Sequence, residues 1–341
     1  MSIPKKKREQ IKQYLLEKIG KGDTGIADAC AAATGLSVSS VYRYLQQLEE
    51  EGAILRDGHR LYLRAQSHVF TYTHRTLSRS FDTAVYENDI APLLTDCAGN
   101  VLRIWAYAVS EMVNNIIDHS EAETAQAVVL KDPVNTTILL RDDGIGIFRK
   151  IQSHFRFPAT EDAITALFKG KLTTDAAHHS GEGIFFTSRA MDLFAALSGG
   201  KIFTHDDYDE LQKKIGDIAD LRGWESFPGT VILMRLSNHS SKNLKDVFDA
   251  FADEEGAFQK TRIPVSHFFA APVSRSQARR LAERLELFEV VELDFAGVDW
   301  IGQGFAHELF VVWQRQHPGV RLVPIHENTD VRRMIHHVTS A

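Results

Sequence analysis

The chain has 341 residues, 44% hydrophobic, 25% charged and 9% aromatic, a balance that excludes a disordered or fibrous protein and calls for two or three separate cores. Its only cysteines, Cys30 and Cys97, lie far apart, which excludes a disulfide framework and a thiolate metal site and points to a reducing cytoplasm. The net charge of -6 divides into +3 over residues 1–66 and -9 over the rest, so the basic end is the expected nucleic-acid contact.

Residues 1–8 are basic but have no apolar run behind them, so no signal peptide is expected, and no stretch reaches the roughly 18 apolar residues of a membrane span. Ile11, Tyr14, Leu15 and Ile19 form a helical stripe over residues 8–19. Thr24 is expected to cap a second helix that runs to Ala33 and stops at Gly35. Ser37 should cap a third over residues 38–51, with Val41, Leu45 and Leu48 inward and Gly52 as its stop. Residues 53–56 and 59–63 then read as a β-hairpin about an Asp57-Gly58 turn.

Three short helices followed by a hairpin resemble a winged helix-turn-helix DNA-binding domain. The resemblance implies that Ser39, Ser40, Tyr42 and Arg43 face the major groove while Arg56, Arg60 and the cluster Lys5 to Arg8 hold phosphates. A winged helix used only for protein contacts or dimerisation is the alternative. The string Gly20-x-Gly22-x-x-Gly25 matches a dinucleotide fingerprint by letter, but it follows a helix where the mechanism needs a strand.

In the middle third, residues 101–120 read as one long helix. Glu111, Asn115 and His119 recur every four residues and share a face, while Ile104, Ala108, Met112 and Ile116 can be buried. After a strand at 137–140 comes Arg141-Asp142-Asp143-Gly144-Ile145-Gly146-Ile147. After a long loop, Ser180-Gly181-Glu182-Gly183-Ile184 opens a helix, and Pro228-Gly229-Thr230 leads into an apolar strand.

These four motifs, in this order over about residues 69–240, resemble the GHKL ATP-binding fold of gyrase B, histidine kinases and anti-sigma serine kinases. The resemblance implies an α/β sandwich (the Bergerat fold) that binds ATP under a mobile lid. It implies that Asn115 holds Mg²⁺ and that Glu111 positions or deprotonates the attacking group, roles suited to an amide oxygen and a carboxylate. Asp142 would accept a hydrogen bond from the adenine amino group, which selects ATP over GTP because guanine presents a carbonyl there. Gly144 and Gly146 would let the backbone approach the base, and Gly181 and Gly183 would offer amides to phosphate at a helix N-terminus. Thr230 would help to seat the adenine, and His119 either contacts phosphate or packs its helix.

The expected lid, residues 149–180, includes a helix around 162–168. In it Lys171 either reaches the γ-phosphate or faces solvent, and His178 and His179 are read as lid residues without a metal. The last third alternates elements: helix 274–287, strand 290–295, helix 302–316, strand 320–324 and helix 330–338. Residues 293–298 and 301–309 resemble the STAS-like domain that follows GHKL modules in some regulators. The family's phosphoserine position falls on Gln303, which argues against a phospho-switch there and for dimerisation or partner binding.

The expected protein is therefore a multidomain α+β chain: a winged helix (residues 1–66), a GHKL domain (67–258) and a small βα STAS-like domain (259–341). The leading expectation is a cytoplasmic, homodimeric DNA-binding regulator controlled by ATP and Mg²⁺, with a possible protein partner at the STAS-like domain and no membrane contact. A protein serine or histidine kinase and an ATP-gated DNA clamp are the alternatives. His74 is a poor phosphoacceptor candidate, since no acidic residue follows it.

Overall fold

The computed structural model of the protein describes residues 4–77, 83–172 and 181–340. Three helices open it: α1 (Lys5–Gly20), α2 (Ile26–Thr34) and α3 (Val38–Glu50). Ile11, Leu15, Ile19, Val41, Leu45 and Leu48 bury as their spacing requires. The Ser37 hydroxyl caps α3 by accepting from the Ser40 amide at 3.3 Å. Thr24 does not cap α2; Gly25 stands at that position in the left-handed region. Strands β1 (Ile54–Asp57) and β2 (Arg60–Leu63) form the wing. Asp57 pairs with Arg60, so the turn is Gly58-His59 and not Asp57-Gly58. Gly58 supplies the positive φ of 55°, as a turn with its first central residue left-handed demands.

The central elements are β3 (Gln66–Thr73), α4 (His74–Leu77), α5 (Gly99–His119), β4 (Thr124–Lys131), β5 (Asn135–Asp142), α6 (Ile147–Phe155), α7 (Thr160–Lys169), α8 (Gly183–Ala190), β6 (Leu193–Ser198), β7 (Lys201–Thr204), α9 (Tyr208–Asp217) and β8 (Thr230–Ser237). The strands form one six-stranded antiparallel sheet in the order β3-β4-β5-β8-β6-β7. Period-two alternation gives β4, β5 and β8 two apolar faces. One face packs on α5 through Ala127, Ile138, Leu140 and Met234. The other carries Val128, Leu139 and Leu233 against Leu211 and Ile215 of α9. The stretch after Ile147, expected as a loop with one helix, is instead largely α6 and α7, because Phe148, Ile151, Ala163 and Leu167 all join the main core.

The C-terminal elements are α10 (Leu244–Asp249), β9 (Lys260–Pro264), α11 (Arg275–Ala282), β10 (Val290–Asp294), α12 (Gln303–His307), α13 (Gln314–Gln316), β11 (Arg321–Ile325) and α14 (Thr329–Thr339). Their sheet is parallel, in the order β11-β10-β9. The helix expected over residues 274–287 ends at Ala282, because Arg284 takes a left-handed φ of 66° and a 3₁₀ turn follows. The segment linking α12 to α13, Glu308–Trp313, is a π-helix. The protein is thus a multidomain α+β chain with a helix-turn-helix at its start. Two cores cross the expected divisions: Val134, between β4 and β5, packs into the winged-helix core, and Phe185 and Phe186 of α8 belong to the C-terminal core.

Candidate functional site

A cavity of about 260 Å³ opens between the central sheet and helices α5, α6, α7 and α8. Strand β5 delivers Asp142 to its floor, 4% exposed. Oδ1 of Asp142 accepts the Gly144 amide at 2.9 Å. Burial raises the Asp142 carboxyl to about 6, against the opposing pull of the Gly144 and Thr230 backbone bonds. Thr230 is buried beside it, and its hydroxyl oxygen accepts the Ile147 amide at 2.9 Å, which leaves the hydroxyl hydrogen for another acceptor.

The glycines do different work from that expected. A Cβ on Gly144 would stand 2.1 Å from the Ser120 carbonyl, so Gly144 lets the loop close on the end of α5, and it does not line the cavity. Gly146 does line it, packed on the Ser198 hydroxyl. Gly229 has φ 85°, and a Cβ there would meet the Asp142 carbonyl at 2.2 Å. The buried Ser198 hydroxyl donates to the Gly229 carbonyl at 2.6 Å. The turn before β8 is thereby locked to the Asp142 loop.

Glu111, Asn115 and His119 of α5 all line the cavity, as their four-residue spacing requires. Gly183, the first residue of α8, comes so close to Glu111 that a Cβ would lie 2.2 Å from its Oε2. The carboxylate therefore sits at a helix N-terminus, where the helix dipole stabilises negative charge. Gly181 lines the cavity and accepts the Leu172 amide through its carbonyl at 3.1 Å. Asn115 offers a hard oxygen of the kind Mg²⁺ takes, on the same face of α5 as the Glu111 carboxylate, a donor chemistry suited to such an ion.

Lys171 is not brought to the cavity. Its Nζ donates to Gln259 Oε1 at 2.9 Å and to the Leu287 carbonyl at 2.7 Å, over the Phe258 and Phe288 rings. The Lys171 amine thus contacts the C-terminal domain in this structure. Ser180, His178 and His179 lie outside the described residues, as does the greater part of the segment after Leu172. Lys150 does line the cavity and pairs with Glu121 at 2.7 Å. It sits one turn after Ile147, a position that helical spacing from the glycine motif would have revealed. Tyr107, one turn before Glu111, has its hydroxyl pushed up by burial and then by Glu111 and Glu182.

On the winged helix, Ser39, Tyr42 and Arg43 are exposed on α3 and Ser40 is half-buried. Arg43 reaches Ser40 Oγ at 3.2 Å. Arg60 is exposed, whereas exposed Arg56 pairs with Glu49 at 3.3 Å. At the other end of the chain Gln303 begins α12. The Gly302 amide there donates to Pro272 and the Phe305 amide to Val273, so these N-H groups are already taken.

Residues 20–58 match the family described as the IclR helix-turn-helix domain, and residues 277–332 match the STAS-like domain of unknown function (DUF4325). No curated protein matches the chain. The chain carries an IclR-type helix-turn-helix at its N-terminus and a STAS-like domain at its C-terminus, and the former supports a DNA-binding transcription regulator. Among the described residues no helix is long and apolar enough to cross a membrane.

Proposed function

We propose that the central domain is a GHKL-type nucleotide-binding module and that the chain is a DNA-binding transcription regulator whose state depends on ATP and Mg²⁺. The observation that carries this reading is Asp142. A carboxylate held at the floor of the cavity, with its carboxyl raised by burial and two backbone N-H groups already on it, keeps lone pairs that an exocyclic amine could use. Gly146, Thr230 and Ile147 frame that point, and an adenine ring fits an apolar slot with one polar contact. Asn115 and Glu111 would face the phosphates from α5. When bound, Mg²⁺ would neutralise phosphate charge, Asn115 would contribute an oxygen to it, and Glu111 would hold or take a proton at a water or hydroxyl.

The winged helix would read DNA through Ser39, Tyr42 and Arg43, with Arg60 and the Lys5 to Arg8 cluster on phosphates. A homodimer would present two such helices to paired half-sites. The STAS-like domain would supply contacts to a protein partner without phosphorylation at Gln303. The test is calorimetry with Mg-ATP, Mg-GTP and adenosine, followed by DNA anisotropy with and without ATP. ATP should bind and GTP should not, and ATP should shift DNA affinity with DNA shifting ATP affinity by the same factor. Equal affinity for ATP and GTP would remove the adenine assignment, and DNA affinity unchanged by ATP would remove nucleotide control.

A further inference from the structure

Residues 169–172, where the chain leaves α7 with Gly170 and Lys171 both at positive φ, divide between two partners. Lys169 and Lys171 turn to the C-terminal domain; Gly170 and Leu172 line the cavity. Lys169 is 2% exposed. Its Nζ donates to the carbonyls of Glu283 at 2.6 Å and Arg280 at 3.3 Å, groups at the end of α11 of the kind that helices leave without an internal partner. Its own carbonyl accepts the Thr261 hydroxyl of β9 at 2.7 Å. The Lys171 carbonyl accepts from Arg284 Nη2 at 2.8 Å, and its Nζ bonds Gln259 and Leu287. Gly170 sits so tightly that a Cβ would lie 2.8 Å from both Phe185 and Phe258.

We propose that the C-terminal domain is a working wall of the cavity, with Lys169 as the positioning residue that sets Gly170 and Leu172 against the ligand, so that ATP affinity depends on C-terminal docking. The proposal rests on the nucleotide reading above. The Nζ hydrogen bonds of both lysines run to the C-terminal domain, so a shift of that domain carries the cavity lining with it. A neutral amine has two N-H groups, and Lys169 finds two carbonyl acceptors.

The charged groups around Lys169 are Glu283 and Glu286, which favour its cation, and Arg280 and Arg284, which oppose it. Asp162 of α7 is paired with Arg280. Burial outweighs all of these and lowers the amine to about 7. Undocked and in water it would return to the ordinary lysine range near 10.5. The docked form therefore binds fewer protons between those two values, so docking strengthens as pH rises from about 7 and is flat below it.

The experiment measures Mg-ATP affinity by calorimetry at pH 7 and pH 9 for the full chain, Lys169→Met and Lys171→Met. The parent should bind about tenfold tighter at pH 9, within the roughly fiftyfold that complete coupling allows. Lys169→Met should lose that step. Lys171→Met, at a less buried position, should bind several-fold more weakly at both pH values and keep the step. A step of equal size in the parent and Lys169→Met, or unchanged affinity in Lys171→Met, overturns the proposal. If ATP fails to bind the parent at either pH, the nucleotide reading falls, and hydrogen exchange of the ligand-free protein decides docking. Amides of residues 170–172 and 259–261 that gain protection together from pH 7 to pH 9, after correction for the intrinsic rate, uphold it. Unchanged protection overturns it.

Discussion

Asp142 and Gly170 both line the cavity, yet they reach it by different physics. Asp142 ends a strand whose apolar alternation, followed at once by glycines, already marks the strand and the turn after it. Its neighbours in space are Gly144 and Thr230, the second brought in by antiparallel pairing of β5 with β8. Gly170 follows a helix that buries Leu167 and Phe168, and its place is set by Lys169, Thr261 and Phe258, of which the first two stand 92 positions apart. A site can thus be half motif and half tertiary contact. The motif half carries the proposed choice of ligand, and the contact half the proposed control.

The largest effect is expected for Gly229→Ala. With φ 85° and only 2.2 Å between a new Cβ and the Asp142 carbonyl, the turn must move, at a cost on the order of 3 kcal/mol. A lower melting temperature together with lost ATP binding is expected; a parent-like melting curve would show that the Asp142 turn is not tightly built.

Asp142→Asn separates binding from folding. ATP affinity should fall by about 1 to 3 kcal/mol, since an amide can turn its donor towards the adenine amine. Stability should not fall with it. The Asp142 carboxyl lies at about 6 in the folded chain, above its usual 3.8, so the folded state binds more protons between these values and the parent loses stability as pH rises through them. The variant should lack that loss, which urea unfolding at pH 4.5 and pH 7 would reveal. Within the same cavity, Glu111→Ala should keep ATP binding and abolish any turnover, because the carboxylate serves the transition state. Equal phosphate release in variant and parent would remove it from catalysis.

At the DNA end, Arg43→Ala should cost about 1 to 3 kcal/mol at one base position, while neutralising Lys5, Lys6 and Lys7 should weaken all sequences alike and flatten the salt dependence. Identical sequence profiles for the two variants would deny α3 its reading role. The smallest effect is expected at Val134→Ala. This side chain is the central sheet's contribution to the winged-helix core, and its truncation should cost about 1 kcal/mol in chemical denaturation. No change would mean that the two regions fold without reference to one another.

Much of the chain was legible beforehand, for local reasons. Ser37 capped α3 because a hydroxyl at that position meets a free amide. Glu111, Asn115 and His119 converged because a helix repeats every 3.6 residues. Other details were lost to competition between neighbouring residues. Gly25 displaced Thr24 because it accepts a positive φ, and the hairpin turn slipped one residue because Gly58, at its first central place, needed no Asp before it. The helix after Ser274 stopped early because Leu285 and Phe288 are drawn into the C-terminal core, which a left-handed Arg284 permits.

By itself the sequence determined the helix-turn-helix, the polar face of α5, the Asp142 and Thr230 turns and the alternation of the last third, all set by spacing and turn chemistry within a few residues. Only the tertiary structure decided that residues 147–155 are helical, that Lys171 turns away from the cavity and that Lys169 plugs the end of α11. The physical reason is that a buried amine is tolerated only where carbonyls lie within reach, and those of Arg280 and Glu283 come from more than a hundred residues further along the chain.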